Sequence, residues 1–381
     1  MAEKSLSGVL DWTRERQAEM SALLRALVEM ESPSTDAMAV AALAERVARE
    51  LEASGATVER IPVEAAGPIL RATTAAAGRP VMLLGHLDTV WPVGTLEARP
   101  VRLEGDRLFG PAAFDMKAGI VVIIYALRAL AARESLPAVT VFLTPLEEID
   151  CYPYQPRMEA EMKASAAVLG FEPAWPGGAV KTERKGSGSF VLRARGRAAH
   201  AGADFEKGAN AIVEISRALL QAHALTDPAR SVTVNVGVVR GGIRPNVVPD
   251  YAEAEIDFRV LTVEDGRRIE AAVRGIQPMD PRVSLHVEGG LHYPPLERTP
   301  QVLAVYETAR SVAADLGLPL AEASTGGASE ASFAAALGLP ALDGLGADGD
   351  GAHAEHEHVL LTSIPERAAL AAGLIARLTQ G

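Results

Sequence analysis

Two glutamates stand side by side in "VTVFLTPLEEID", Glu147 and Glu148, directly after an apolar run. Neighbouring side chains on a strand point to opposite faces, so both can serve one site only if the strand has already ended. Other chemically able residues also sit beside apolar runs. In "LLGHLDTV", His86 and Asp88 are two apart and share one strand face. That spacing lets Asp88 accept the second ring N–H of His86, the arrangement found behind metal-binding histidines; a hydrogen-bonded pair at an ordinary strand end reads the same way. Asp115 in "GPAAFDMKAGI" precedes a helical run, as a ligand or as an N-cap. Glu172 in "LGFEPAW" follows a strand, as a ligand or as a solvated strand end, and His353 lies in the polar loop "DGDGAHAEHEHVLL". Two histidines and three carboxylates on successive loops make a nitrogen–oxygen ligand set, suited to zinc, manganese or cobalt rather than to a thiolate site. Five ligands with one shared carboxylate suffice for two metals that each keep an open position.

Such residues need a scaffold that gathers strand ends, and the patterning supplies one. Residues 10–30 and 38–53 carry helical spacing on either side of "ESPST". The apolar runs 80–90 and 138–144 have strand length, and "MKAGIVVIIYALRALAARE" between them is long enough for a buried helix. Strand–helix–strand order predicts a parallel central sheet, with a further strand at 166–173. After "PAWPGG" the texture changes. Alternating strands in "SGSFVLRARGRAAHAG", "SVTVNVGVVRGG" and "YAEAEIDFRV" are interleaved with amphipathic helices, a β-α-β-β-α order that predicts an inserted α+β domain. The expected division is residues 1–180 and 294–381 for one α/β domain and 181–293 for the insertion.

The 381-residue chain is 48% hydrophobic, enough to bury the core of two domains. A formal net charge of −12 argues against nucleic acid and anionic membranes as partners. A single cysteine, Cys151, allows no intramolecular disulfide. No apolar run reaches the length of a membrane span, and the first residues lack a signal-peptide h-region. The expectation is a soluble cytoplasmic protein.

In order along the chain, "GHLDTV", "DMKAG", the "EE" after a strand, "FEP", "GRAAHAG", "GGIRPNVVPDYAEAEIDFRV", "TGGASEASFA" and "GAH" resemble the dinuclear-zinc aminoacylase/carboxypeptidase family. This family includes glutamate carboxypeptidase, acetylornithine deacetylase and succinyl-diaminopimelate desuccinylase; the "EP" pair looks most like the glutamate carboxypeptidase branch. The resemblance implies a zinc-exopeptidase-like catalytic domain and a ferredoxin-like lid and dimerisation domain. It implies two divalent metal ions, zinc first and cobalt or manganese as alternatives. His86, Asp115 and Glu172 would hold one, Asp115, Glu148 and His353 the other, with Asp115 bridging. Asp88 would orient His86, and Glu147 would be the general base acting on the metal-bridging water. His200 and Asn246 would reach a partner subunit's site, and Arg259 would help bind a carboxylate. A homodimer through the inserted domain and a small-molecule or short-peptide substrate follow from the same likeness.

Three departures bear on that expectation. Relatives carry Gly-Ser after the glutamate pair, whereas this chain runs "EEIDCYPYQP", where Asp150 could cap a helix and the prolines would delay it. Ala118 replaces a glycine in "DMKAG". "LHYPP", with His292 and Tyr293, stands where relatives have an arginine able to fork onto a carboxylate. The expected activity is hydrolysis of an amide bond in a small peptide or N-acyl amino acid. The alternatives are an amidase for a non-peptide amide and a metal-binding homologue without catalysis.

Overall fold

In the computed structural model, which describes residues 7–134, 136–149 and 151–380, the chain divides into two compact units. The first takes the chain up to Thr182, then Arg298–Ser324 and the chain from Ser329 onward; the second comprises Glu183–Glu297 and Thr325–Ala328.

A six-stranded sheet organises the first unit, in the order Thr57–Ile61, Ile69–Thr73, Val139–Thr144, Val81–His86, Ala167–Gly170, Ala341–Leu342. The last four run parallel, and Ile69–Thr73 is antiparallel to both neighbours. Strands Val81–His86, Val139–Thr144 and Ala167–Gly170 are buried at every residue. A sheet covered on both faces needs continuous apolar runs rather than alternation, which is what these segments have. Helix Ala118–Ala131 links two adjacent parallel strands and packs against Ser363–Leu378. Ala118 is itself helical (φ −63, ψ −37), so a side chain there costs the backbone nothing.

The expected helix over 10–30 is two helices, Ser7–Arg14 and Gln17–Val28. The Thr13 hydroxyl donates to the Leu10 carbonyl and the Arg16 guanidinium to that of Trp12, both 2.9 Å. Side chains that take the last carbonyls end a helix in this way. Asp36 caps the next helix, Ala37–Ala53, by accepting from the amides of Met38 and Ala39.

The second unit is a four-stranded antiparallel sheet ordered Thr233–Gly241, Tyr251–Val260, Gly186–Arg195, Ser284–Tyr293. Helices Ala211–His223 and Val263–Arg274 are capped by Asn210 and Thr262, and residues of both join the strands in one core around the stacked rings of Phe190 and Phe258. Strand Ser284–Tyr293 completes the β-α-β-β-α-β order and is absent from the runs read in the sequence. Gly289 and Gly290 interrupt its alternation, and Gly289 holds φ +100, a conformation for glycine.

Candidate active site

The ligand candidates stand beyond the carboxyl ends of the parallel strands, where open α/β sheets place their ligands. Register sets His86 opposite Thr144 and Leu84 opposite Gly170. The strand ends at Thr144, so Glu147 and Glu148 lie on a turning loop where alternation no longer separates them. Asp115 occupies the tight turn Ala113–Lys117 with extended angles (φ −111, ψ 98), and Lys117 rather than Asp115 takes the N-cap of the following helix. Gly85 lets that turn approach the strand end. A Cβ there would lie 2.5 Å from Met116 Cε, and the His86 amide donates to Met116 Sδ at 3.0 Å.

Asp115 faces two histidines. Its Oδ1 is 3.4 Å from His86 Nε2 and its Oδ2 is 3.3 Å from His353 Nε2. His86 Nε2 is also 3.6 Å from Glu172 Oε1, and His353 Nε2 is 3.1 Å from Glu148 Oε2. The five residues thus form two overlapping groups that share one carboxylate, and ligand atoms of His86, Asp115 and Glu148 lie within 4.8 Å of one another. His86 Nε2 and Asp115 Oδ1 are buried and have no hydrogen-bond partner among the described residues. Bare polar atoms in an interior are costly. A divalent cation held by nitrogen and oxygen donors satisfies both, so the donor set fits a metal pair.

The other His86 nitrogen, Nδ1, lies 3.0 Å from the Asp88 carbonyl oxygen and 3.5 Å from its carboxylate. The main chain of Asp88 therefore stands closer to the imidazole than its side chain does. That carboxylate accepts the Glu147 amide at 3.0 Å, the Glu148 amide at 3.1 Å and the Ser34 hydroxyl at 2.6 Å. One aspartate ties the histidine strand to the glutamate loop.

The electrostatics are those of a site short of positive charge. Burial pushes Glu147 well above the usual carboxylate range, against the pull of His86 and with added repulsion from Glu172 and Glu148. Burial also raises Glu148, opposed by His353. Asp115 goes the other way: its burial is more than offset by His353 and His86, which hold it well below that range. Asp115 and Glu148 push His353 up to about 10. Burial favours a neutral His86, yet Asp115 and Asp88 outweigh it and raise the ring. The cluster draws cations: protons on the imidazoles of the bare protein, or metal ions on the same atoms.

Sequence reasoning missed Glu357. This buried carboxylate accepts the amides of Ala112, Phe114 and Asp115 and the Trp91 indole N–H, at 2.9–3.0 Å. It fixes the turn that presents Asp115. An acid in "HAEHEHV" looks like any solvated loop residue, so no sequence signal marks it. Asp150 lies outside the described residues.

His200, Asn246 and Arg259 belong to the second unit. Strand Ala199–His200 pairs with Val247–Val248, and the Ala201 amide donates to the Asn246 carbonyl at 3.1 Å, which brings His200 and Asn246 together. His200 Nδ1 accepts from the amides of Gly202 and Ala203, so Nε2 carries the proton of the neutral ring and is a donor. The Arg259 guanidinium forks onto Asp257, at 3.1 and 2.9 Å.

Comparison with known proteins bears on this arrangement. The model of the M20 peptidase dimerisation domain matches residues 182–276. Across the whole chain, and 94% of the relative, the sequence is 29% identical to carboxypeptidase G2 of a Pseudomonas species. It is 30% identical over 304 residues to a putative succinyl-diaminopimelate desuccinylase of Mycobacterium tuberculosis, covering 74% of this chain and 78% of that protein. Two solved structures share the fold. Aminopeptidase PepT from Bacillus cereus has a TM-score of 0.79 at 20% identity, over 95% of this chain and 98% of that one. An M20 family metallo-carboxypeptidase from Sulfolobus solfataricus has a TM-score of 0.72 at 16% identity, over 95% and 100%.

Proposed function

We infer the function from a family premise: this chain belongs to the M20 metallopeptidases. It is a metal-dependent hydrolase of amide bonds in peptides or N-acyl amino acids. The observation that carries the reading is Asp115, which turns one carboxylate oxygen toward each of two histidines. His86, Asp115 and Glu172 would hold one metal and Asp115, Glu148 and His353 the other, with zinc as the expected ion and cobalt or manganese as alternatives. Bound there, the ions would lower the pKa of a water and polarise the scissile carbonyl.

The chain's own residues supply the rest. Glu147 takes the proton of the attacking water on its carboxylate and delivers it to the leaving amine. Asp88 holds the Glu147 amide and the His86 ring, so base and ligand keep their spacing. In a homodimer His200 Nε2–H and the Asn246 amide would reach the partner subunit's site as donors for the developing oxyanion, and Arg259 would help bind a substrate carboxylate. The first compact unit would be the catalytic domain, and the second, Glu183–Glu297 with Thr325–Ala328, the lid and dimerisation domain.

A homodimer through that domain is supported by an apolar margin on the second unit. Edge strand Thr233–Gly241 has an unpaired side among the described residues, and Leu220, Val239 and Ile243 are more than half exposed. Unpaired edges and apolar patches together mark an interaction surface. A cytoplasmic location fits the single cysteine, and fractionation of cells making the protein tests it. Among the described residues no helix is long and apolar enough to cross a membrane.

The test of the activity is a panel of dipeptides, short peptides and N-acyl amino acids assayed with the metal-loaded protein and with Glu147→Gln. Turnover confined to the wild type is expected. Equal turnover by the variant would remove Glu147 from the mechanism.

A further inference from the structure

The loop that carries Glu147 and Glu148 is unusually long before its helix, which begins only at Gln155 with proline in its first turn. Within it Ile149 and Tyr152 face outward, 58% and 50% exposed, while Cys151 and Tyr154 are 1% and 3% exposed. Tyr154 is the residue just before that helix, and Thr144 is the last residue of the strand before the loop. A single carboxyl group joins them. Glu330, 3% exposed at the start of helix Ala331–Ala336, accepts the Tyr154 hydroxyl on Oε1 at 2.6 Å and the Thr144 hydroxyl on Oε2 at 2.9 Å.

We propose that Glu330 and Tyr154 are positioning residues: with Thr144 they clamp both ends of the loop whose middle Asp88 holds, and so set where Glu147 and Glu148 stand. The proposal rests on the reading of Glu148 as a metal ligand and Glu147 as the proton carrier. Asp88 takes the amides of Glu147 and Glu148, His353 stands against the Glu148 carboxylate, and the clamp adds a hold at each end of the loop. Glu148 serves only one of the two metal positions, whereas His86, Asp115 and Glu172 come from other segments. Loosening the loop therefore weakens one metal and the proton transfer, and spares the other metal.

The conservative variant separates geometry from charge. Burial pushes the Glu330 carboxyl up to about 8, so near neutrality the group is mostly protonated and offers one acceptor and one donor. Glutamine offers the same pair. Thr144 can accept from that donor and turn its own proton to the Gly85 carbonyl, 3.4 Å away. Leucine at 330 offers neither.

The experiment titrates zinc into chelator-stripped wild type, Tyr154→Phe, Glu330→Leu and Glu330→Gln by calorimetry, with kcat, KM and thermal midpoint recorded for each. Tyr154→Phe keeps the ring and deletes one hydroxyl, so it serves if Glu330→Leu fails to fold. One of the two zinc affinities and kcat should each fall roughly tenfold to hundredfold in Tyr154→Phe, the usual cost of losing a group that supports a ligand. The other zinc affinity and KM should hold, and Glu330→Gln should lie close to wild type. Wild-type zinc affinities and kcat in Tyr154→Phe overturn the clamp, as does an equal weakening of both sites. A wild type that binds no divalent metal overturns the functional reading and the clamp with it.

Discussion

At Asp115 one carboxylate is shared between two imidazoles, and the consequences for single residues follow from that sharing. Glu147→Gln should lower kcat by about 10²–10⁴, the worth of a positioned acid–base group, with metal content unchanged because Glu147 is not a ligand. Glu357→Ala removes the acceptor of three backbone amides, including that of Asp115, and should weaken metal affinity by roughly 10–100-fold; equilibrium dialysis reads it. Glu330 carries a pH signature. Burial pushes its carboxyl up to about 8 in the folded protein, against 4.5 for a free glutamate, so between those values the native state holds a proton that the unfolded chain has released. The stability this contributes is complete below pH 4.5 and is lost as pH rises through 8. In metal-stripped protein the thermal midpoint of Glu330→Gln should therefore gain on wild type between pH 5 and pH 8; a constant difference would contradict it. Among the candidate ligands, His86, Glu148 and Glu172 were legible because histidines and carboxylates at the ends of apolar strands are out of place there, whereas Asp115 and His353 drew notice only through the motifs around them. Glu357, Ser34 and Glu330 were not legible, since an acid or serine in a polar loop looks solvated until the fold buries it.

Elements set the spacing on which those residues depend. Helix Ala118–Ala131 enters directly after the Asp115 turn, and Gly119 in its first turn lies against the segment that presents Glu172. A Cβ on Gly119 would fall 2.1 Å from the Phe171 carbonyl oxygen, so Gly119→Ala must push helix and strand end apart. Overpacking of this kind costs about 1–3 kcal/mol. It should also raise the metal concentration needed for half-maximal activity, because Glu172 moves with Phe171; unaltered urea unfolding and metal dependence would refute this. The parallel strands were legible as unbroken apolar runs, and the strand ending at Thr144 was inferable because two adjacent glutamates cannot share a strand face. The turn Ala113–Lys117 was not legible, since its shape comes from Glu357, far along the chain. Nor was the break between Arg14 and Gln17, where side chains take carbonyls inside one continuous helical pattern.

On the scale of the whole molecule, the composition pointed to two domains and the charge argued against nucleic acid, whereas the placement of the exposed apolar margin came only from the folded second unit. Val239 lies opposite Ala254, on the face that helix Ala211–His223 covers, yet remains 54% exposed. Val239→Asp should convert a dimer to monomer in sedimentation, with the thermal midpoint of the chain little changed. Wild type that sediments as a monomer at micromolar concentration would contradict the homodimer. Metal should stabilise the fold as a ligand of the native state does, by about 2.7 kcal/mol at a hundredfold excess over Kd. The most direct test is the number of divalent ions bound per chain, determined by elemental analysis on the loaded protein and tracked against hydrolysis of a dipeptide or N-acyl amino acid during chelation and reloading. Two ions per chain, with turnover lost on their removal and recovered on their return, is the predicted result; turnover that persists after complete metal removal would contradict the account.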